Sequence, residues 1–502
     1  MEMFPVNYDK RKITSLQSRL FGHRLKPSQS KYEYLIEFLQ VAIAPKRNSK
    51  TERSYKEMFP IAENGLIDPL VYYPKSRIAL KRFIFMPKSK LDGKAEVDKV
   101  AYEECVRIME ASVQGGNAIS RKNSITIIQN LLEGFSAVNQ NRSWFDQSLL
   151  PICPEVILPE GMGVKTWRKN LDFQVGDAAI DQKFDFHKYT YMCRGGEIYY
   201  LHLLSAINQY PKYAPIIESR IRNMIGSFPQ FSYLCNFVQQ TWDDFMLIPL
   251  DEKKEISKEL TVIPTSYSVR NKYTLDELQN FLNSKSHPFE KMEILANGII
   301  LQMLRMMYLA ASTKNESNCW VVDVNCKGYE SSETKKLAIS AFNHNEEVIC
   351  KYLYKGLEEL RVELGITDDQ KAIKDAADDS YRLFRKLGKN IGIVIPAKGP
   401  GMRFSLSEDA IKFLVLAIIP PKNMITLDEF IELLYTHYGI VIGPDQYSKE
   451  MQNGSVKDIG NLSFLEENKL AFSQKLKDCG FLRDLSDATS IVENPYESEA
   501  EV

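Results

Sequence analysis

The sequence has no cysteine pair at C-x-x-C spacing, no histidine pair at HxH, HxxxH or HExxH spacing, and no G-x-S-x-G elbow. These absences remove the signatures of zinc ribbons, zincins and α/β-hydrolases. The eight cysteines, at 105, 153, 193, 235, 319, 326, 350 and 479, are scattered with no histidine at ligand spacing, so reduced thiols in a cytoplasm are expected and no metal or cofactor is. The first twenty residues carry no apolar signal core, and the run "FLVLAII" at 413–419 is about a third of a membrane span. No membrane partner is expected. Phosphate loops are missing as well: in "EGMGVKT" at 160–166 Val164 separates Gly163 from Lys165, and "AKGPGMR" at 397–403 serves a hairpin turn equally well.

What is present is an ordinary globular composition, 44% apolar and 26% charged over 502 residues, enough for roughly two to four domains. The net charge of −1 conceals an asymmetry. Residues 1–90 hold 18 Lys and Arg against 8 Asp and Glu, a net of +10, which leaves −11 for residues 91–502. A basic head on an acidic body is a statement about partners more than about fold.

Helix signals dominate. "SKYEYLIEFLQVAIAP" opens with Ser30 and Glu33 at capping-box spacing and closes at Pro45; its apolar residues cover most of the circumference, predicting a buried helix. "SRIALKRFIFMPKSK" reads as a strand flanked by cations, and "KAEVDKVAYEECVRIMEASV" as a helix ending at Gly115 and Gly116. "RGGEIYYLHLLSAI" begins a helix at a glycine pair, "YTLDELQNFLNS" carries a capping box at Thr274 and Glu277, and "FEKMEILANGIILQMLRMMYLAA" is apolar almost all round, as a central core helix would be. His202 is expected as a hydrogen-bonded core residue. A helix through "EEVICKYLYKGLEELRVELG" ends at Gly365, the next starts from Thr367 and Gln370 and runs to about Gly388, and "IGIVIPAKGPGMRFSL" is a hairpin. The tail "YESEAEV" reads as disordered.

The C-terminal pieces fall into a recognisable order. Ser407 caps a helix through "EDAIKFLVLAII", stopped by Pro420 and Pro421; "MIT" is a short strand; Thr426 and Glu429 box the next helix. After a loop to about 462, Ser463 caps "FLEENKLAFSQKLKDC", and "FLRDL" and "TSIVEN" form a hairpin. Helix, strand, helix, helix, two-stranded wing is the winged-helix order; a three-helix bundle with a disordered tail is the competing reading. Residues 407–494 hold 8 Lys and Arg against 14 Asp and Glu, and Lys469, Lys475 and Lys477 on the would-be recognition helix face Glu466, Glu467 and Asp478. Such a surface repels phosphate, so a protein-docking winged helix is expected. The expected class is α+β, predominantly helical and multi-domain: a basic α+β domain over 1–145, a mixed helical domain over 146–344, and a helical segment, hairpin and winged helix over 345–502.

Two chemistries remain for nucleic acid. Lys10, Arg11, Lys12, Arg19, Arg24 and Lys26 lie close together near the N-terminus and could meet backbone phosphates, with an ordinary solvated surface as the alternative. In "AAIDQKFDF", Ile180, Phe184 and Phe186 share one strand face while Asp181 and Lys183 share the other, like the second half of a PD-(D/E)xK nuclease site in which the acid holds Mg²⁺ and the lysine positions water. That site would need an upstream acid, Glu155 or Asp172; the competing reading is an exposed strand of alternating charge.

"FGHRLKPSQSKYEYLIEFL" at 21–39, "RGGEIYYLHL" at 194–203 and "GFLRDLSDATSIVENPY" at 480–496 together resemble the large accessory proteins encoded in bacterial antiphage defence islands. The resemblance covers under a tenth of the chain and brings no catalytic residue. It implies a non-catalytic component of a defence complex acting on DNA, with other proteins of the same system (an ATPase, helicase or modification enzyme) and DNA as partners. The Mg-dependent nuclease centred on Asp181 and Lys183 is the alternative.

Overall fold

The box at Ser30 and Glu33 forms as its spacing predicts: the Ser30 hydroxyl accepts from the Glu33 amide, and the Glu33 carboxylate accepts from the Ser30 amide at 2.6 Å. It opens the second helix of a computed structural model that describes residues 2–22, 29–62, 67–75, 77–87, 96–137, 147–158, 194–245, 257–312, 319–324, 333–454, 456, 459–486 and 489–500. The first elements are β1 (Met3–Phe4), α1 (Leu16–Phe21), α2 (Lys31–Ile43), β2 (Lys46–Asn48), β3 (Ser54–Tyr55), β4 (Leu70–Tyr72), α3 (Ile78–Phe85), α4 (Glu96–Ser112) and α5 (Ala118–Glu133). Then come α6 (Gly195–Gln209), α7 (Ala214–Ile225), α8 (Pro229–Phe245), β5 (Lys258–Glu259), β6 (Ile263–Pro264), α9 (Asn271–Asn283), α10 (Pro288–Ala311) and β7 (Trp320–Val321). The last part holds α11 (Glu333–Leu360), α12 (Asp369–Asp378), α13 (Tyr381–Asn390), β8 (Val394–Ile395), β9 (Arg403–Phe404), α14 (Glu408–Ile418), β10 (Met424–Thr426), α15 (Leu427–Tyr438), β11 (Ile440–Val441), α16 (Pro444–Gln452), α17 (Ser463–Asp478), β12 (Leu482–Ser486) and β13 (Thr489–Glu493). The architecture is α+β and predominantly helical.

α10 is the hub. It is long and apolar enough to cross a bilayer, yet nearly every residue from Met292 to Tyr308 is buried against protein. Gly298 makes its closest contact possible, because a Cβ there would sit 2.1 Å from Cε2 of Phe413 on α14. The glycine pair that starts α6 plays the same part against α2: a Cβ on Gly196 would fall 2.1 Å from the Tyr34 carbonyl oxygen. One continuous apolar cluster results, drawing on α1, α2, α6, α7, α9, α10 and the C-terminal helices as far as α17 and β13. A smaller cluster gathers α3, α4, α5 and α8 around Trp242, Met109 and Leu132.

The strands are short and pair at long range. β3, β2, β4 and β5 form an antiparallel sheet in that order, with Tyr72 opposite Lys258; β1 pairs β6, and β7 runs parallel to β11 with Trp320 opposite Ile440. β8 and β9 are the expected hairpin, and β10-β13-β12 is a separate three-stranded sheet.

Several local expectations fail for identifiable reasons. Within the segment read as a strand at 76–90, residues 78–85 form α3, whose Leu80, Phe83 and Ile84 are buried at helical spacing. The helix expected to start at Thr274 starts earlier, at Asn271, so Thr274 and Glu277 are interior residues turned into the core. Asp368, not Thr367, caps α12, accepting from the Lys371 amide at 2.9 Å, and the helix expected to reach Gly388 divides at Asp379 and Ser380. α17 begins at Ser463 itself, without a side-chain cap. The loop expected before 462 contains β11 and α16, and the tail read as disordered is held as far as Ala500: Arg220 Nη2 donates to the Ala500 carbonyl at 2.8 Å and Lys291 Nζ pairs with Glu499 at 2.7 Å.

Candidate interaction surfaces

The C-terminal segment is built from locally encoded pieces. Ser407 accepts from the Ala410 amide to start α14, Thr426 and Glu429 form the second expected capping box to start α15, and Gly439, at φ 65°, ends it. β10 lies against β13, with Met424 opposite Glu493 and Thr426 opposite Ile491, and β13 turns back on β12. α17 closes over α15 through stacked Phe430 and Phe472 rings, centroids 6.2 Å apart. Asn468, 1% exposed, ties α17 to both parallel strands: its Nδ2 donates to the Val322 and Ile442 carbonyls at 2.9 Å and its Oδ1 accepts from the Val324 amide.

The lysines of α17 are engaged within the protein. Lys469 pairs with Asp428 at 2.5 Å, Lys475 donates to the Leu406 carbonyl at 2.8 Å, and Lys477 pairs with Asp484 on the hairpin. Arg483 is likewise paired with Glu493 at 2.8 Å. Burial opposes the charge on Lys469, but the Asp428 carboxylate prevails and raises its pKa. Between these groups Glu466, Glu467 and Leu470 stay exposed, Leu470 at 69%.

A cleft of about 670 Å³ opens between α15, α16 and α17, lined by Asp428, Glu429, Glu432 and Asp445 with Lys449 and Lys469 as its cations. Glu432 is bridged by Lys449 at 2.6 Å and Gln446 at 3.1 Å; burial would raise its pKa, and these two partners lower it instead. Half of this cleft went unread in the sequence because α16 did. Its signal is Pro444 directly after Gly443 with Asp445 in the first turn, a helix start of the N1-proline kind.

A buried polar junction fastens this segment to the rest. Glu277 on α9, 1% exposed, accepts from Arg270 Nη2 with both oxygens at 3.0 and 2.9 Å, from the Tyr438 hydroxyl at 2.6 Å, and from Gln302 of α10, and it lies 2.8 Å from His437 Nδ1. Arg270 also donates to Gln302 Oε1 at 3.0 Å and to the His437 carbonyl. Burial alone would raise the Glu277 pKa; the Arg270 guanidinium and the donors from His437 and Tyr438 outweigh it and lower the pKa below the ordinary value. His202, the expected core histidine, lies nearby, with Nε2 2.9 Å from the Thr274 hydroxyl; burial and the Arg270 charge push its pKa down to about 3, so it is neutral.

The N-terminal cations form a small capped turn. Lys10, Arg11 and Lys12 make one 3₁₀ turn, and the Asp9 carboxylate accepts from the Arg11 amide and from its Nε at 2.9 Å. Lys12 pairs with Glu259 at 2.6 Å, whereas Arg11 remains 92% exposed. Arg19 is buried at 4%, donating to the Lys10 carbonyl at 2.9 Å and paired with Glu363, so it supports the turn from beneath. Arg24 and Lys26 lie outside the described residues, as do Asp181, Lys183 and Asp172. Glu155 is described, and it accepts from Ser232 at 2.6 Å. Among the described residues no group of three His, Cys, Asp or Glu could hold a metal ion.

No curated protein and no solved structure matches the chain. Residues 411–496, from the first turns of α14 to the end of the hairpin, match the family described as methylation-associated defense system protein MAD7, and this match supports a component of an antiphage defence system.

Proposed function

We propose that the chain is a non-catalytic component of a bacterial antiphage defence complex acting on DNA in the cytoplasm. In this reading the C-terminal segment is a winged helix that docks a partner protein of the same system, an ATPase, helicase or modification enzyme, and the basic N-terminal turn faces nucleic acid. The element order and the β10-β13-β12 sheet support a winged helix. The observation that carries protein docking over DNA docking is the fate of the α17 lysines: with Lys469, Lys475 and Lys477 each bound to an oxygen of its own chain, meeting a phosphate would require breaking an internal contact first. The acidic cleft beside them suits a basic partner segment.

The test is affinity purification of the full chain from a host carrying the complete system. Reversing Glu432 and Asp445 to Lys should remove a co-purifying system protein while the melting temperature holds. Substituting Lys469 and Lys477 with Glu should leave any DNA binding unchanged. Loss of DNA binding in the lysine variant with partner binding intact would refute the docking reading.

A further inference from the structure

Two cysteines far apart in sequence meet inside the smaller apolar cluster. Cys153 stands just before the single 3₁₀ turn Pro154–Val156, and Cys235 lies on α8; their sulfurs are 3.9 Å apart and both residues are wholly buried. Contacts that do not involve the sulfurs hold them there. Ser232 and Asn236, on the same face of α8 as Cys235, both donate to the Glu155 carboxylate, at 2.6 and 3.4 Å, and Arg77 approaches that carboxylate at 3.8 Å.

The sulfurs of a disulfide lie about 2.0 Å apart, so each side chain has only about 1 Å to travel before they bond. Chemistry sets the pair apart from other thiols of the chain. Burial pushes the Cys105 thiol up to about 12 and raises those of Cys350 and Cys479, whereas the Cys235 thiol beside Cys153 outweighs burial and lowers the Cys153 pKa. The thiolate is the reactive form, which makes Cys153 the attacking sulfur. Burial also selects the oxidant. It shuts out a bulky reagent such as glutathione disulfide, while hydrogen peroxide is little larger than water. Pro154 and Glu155, the two residues after Cys153, line a cavity of about 380 Å³ between α2, α7 and the loop at Pro74, so open space reaches the chain beside this thiol.

We propose that Cys153 and Cys235 are a peroxide-responsive pair that closes to a disulfide and locks the 153–156 turn onto α8. The Cys153 thiolate attacks one peroxide oxygen and breaks the O–O bond; the departing hydroxide takes up the proton that Cys153 lost and leaves as water, and Cys153 becomes a sulfenic acid. The Cys235 sulfur then displaces the sulfenic oxygen, which leaves as a second water with the Cys235 proton. Two thiols give up two electrons and two protons, and one peroxide is reduced to two waters.

The test treats the full chain, reduced and then freed of reductant, with hydrogen peroxide, alkylates it under denaturing conditions and digests it for mass spectrometry without reduction. The expected product is a pair of peptides joined through Cys153 and Cys235, two hydrogens lighter than its halves together, which dithiothreitol separates. Glutathione disulfide should give at least about tenfold less of it in the same time, because access limits exchange. Amide exchange along α8 should slow in the oxidised chain and recover on reduction. Cys235→Ser keeps the attacking sulfur and removes its partner, so Cys153 should accumulate as a sulfenic acid that dimedone labels after unfolding. The half-buried Cys350 and Cys479 serve as an internal clock. Cys153 and Cys235 both still alkylated when those two have been consumed, a link from either to a different cysteine, equal yields with glutathione disulfide, or exchange along α8 that fails to slow would each overturn the proposal; an unlabelled Cys153 in the serine variant would overturn the order of attack.

Discussion

Replacing Glu277 by Gln is the sharpest perturbation of the junction that joins α9, α10 and α15. The carboxylate is 1% exposed and its Arg270 partner 2%, so neither charge has water to fall back on when the other is removed. Breaking one side of such a pair costs about 3–5 kcal/mol. Arg270 would keep Gln302 Oε1 and the His437 carbonyl as acceptors, which places the expected loss at about 3 kcal/mol, the lower end of that range. Hydrogen exchange under increasing urea, read at amides of α9, α10 and α15, measures the loss where it occurs. A second variant, Glu277→Gln with Arg270→Met, removes the stranded cation and should recover part of it, giving a coupling energy on the order of 1–3 kcal/mol in the double-mutant cycle. The pH dependence carries the same sign. Because the folded pKa of Glu277 lies below its unfolded value, its contribution is complete above the unfolded pKa of about 4.3 and is lost as pH falls through the folded one; the Gln variant should show a flatter acid limb. A single-variant loss under about 1 kcal/mol, the value typical of an exposed pair, would refute a buried, ionised Glu277.

Lys46 is fully buried, donates to the Ala42 and Ala44 carbonyls, and has its pKa pushed down to about 7 by burial. Its unfolded state binds more protons between about pH 7 and 10.4, so its cost is full below pH 7 and is relieved as pH rises through that window; Lys46→Met should raise stability at pH 6 by on the order of 1–3 kcal/mol and flatten the alkaline slope, and a destabilised variant in a thermal melt at pH 6 would contradict this. For the basic N-terminal segment, if about four of its six cations, Lys10, Arg11, Lys12, Arg19, Arg24 and Lys26, meet duplex phosphates, log affinity should fall against log salt with a slope of roughly −3.6, and Lys10→Ala with Arg11→Ala should flatten it by about 1.8 for every sequence alike; salt-independent binding in a fluorescence anisotropy titration would assign the segment to another partner.

Local chemistry was legible in the sequence wherever both halves of an interaction lie within one helical turn. Ser30 with Glu33 and Thr426 with Glu429 have that spacing and form the expected boxes. Thr274 with Glu277 has the same spelling, but the helix starts three residues earlier and Glu277 is claimed by Gln302, His437 and Tyr438, none of which is near it in sequence. α3 was misread because its β-branched and aromatic residues resemble a strand while their burial follows the helical period. The acidic excess around α17 could be counted, but the sequence does not say that Lys475 reaches Leu406 or that Lys477 reaches Asp484.

The way the strands find each other bears on how the chain comes to be folded at all. Tyr72 waits for Lys258 and Trp320 waits for Ile440, so each of these ladders must close a long loop of chain before it gains a single hydrogen bond. Contacts of this kind slow the search for the native state and leave apolar helices such as α10 uncovered meanwhile. During synthesis the face of α10 that ends beneath Phe413 stays uncovered until α14 has emerged, so the yield of the chain in a heterologous host is a question of rate as much as of stability.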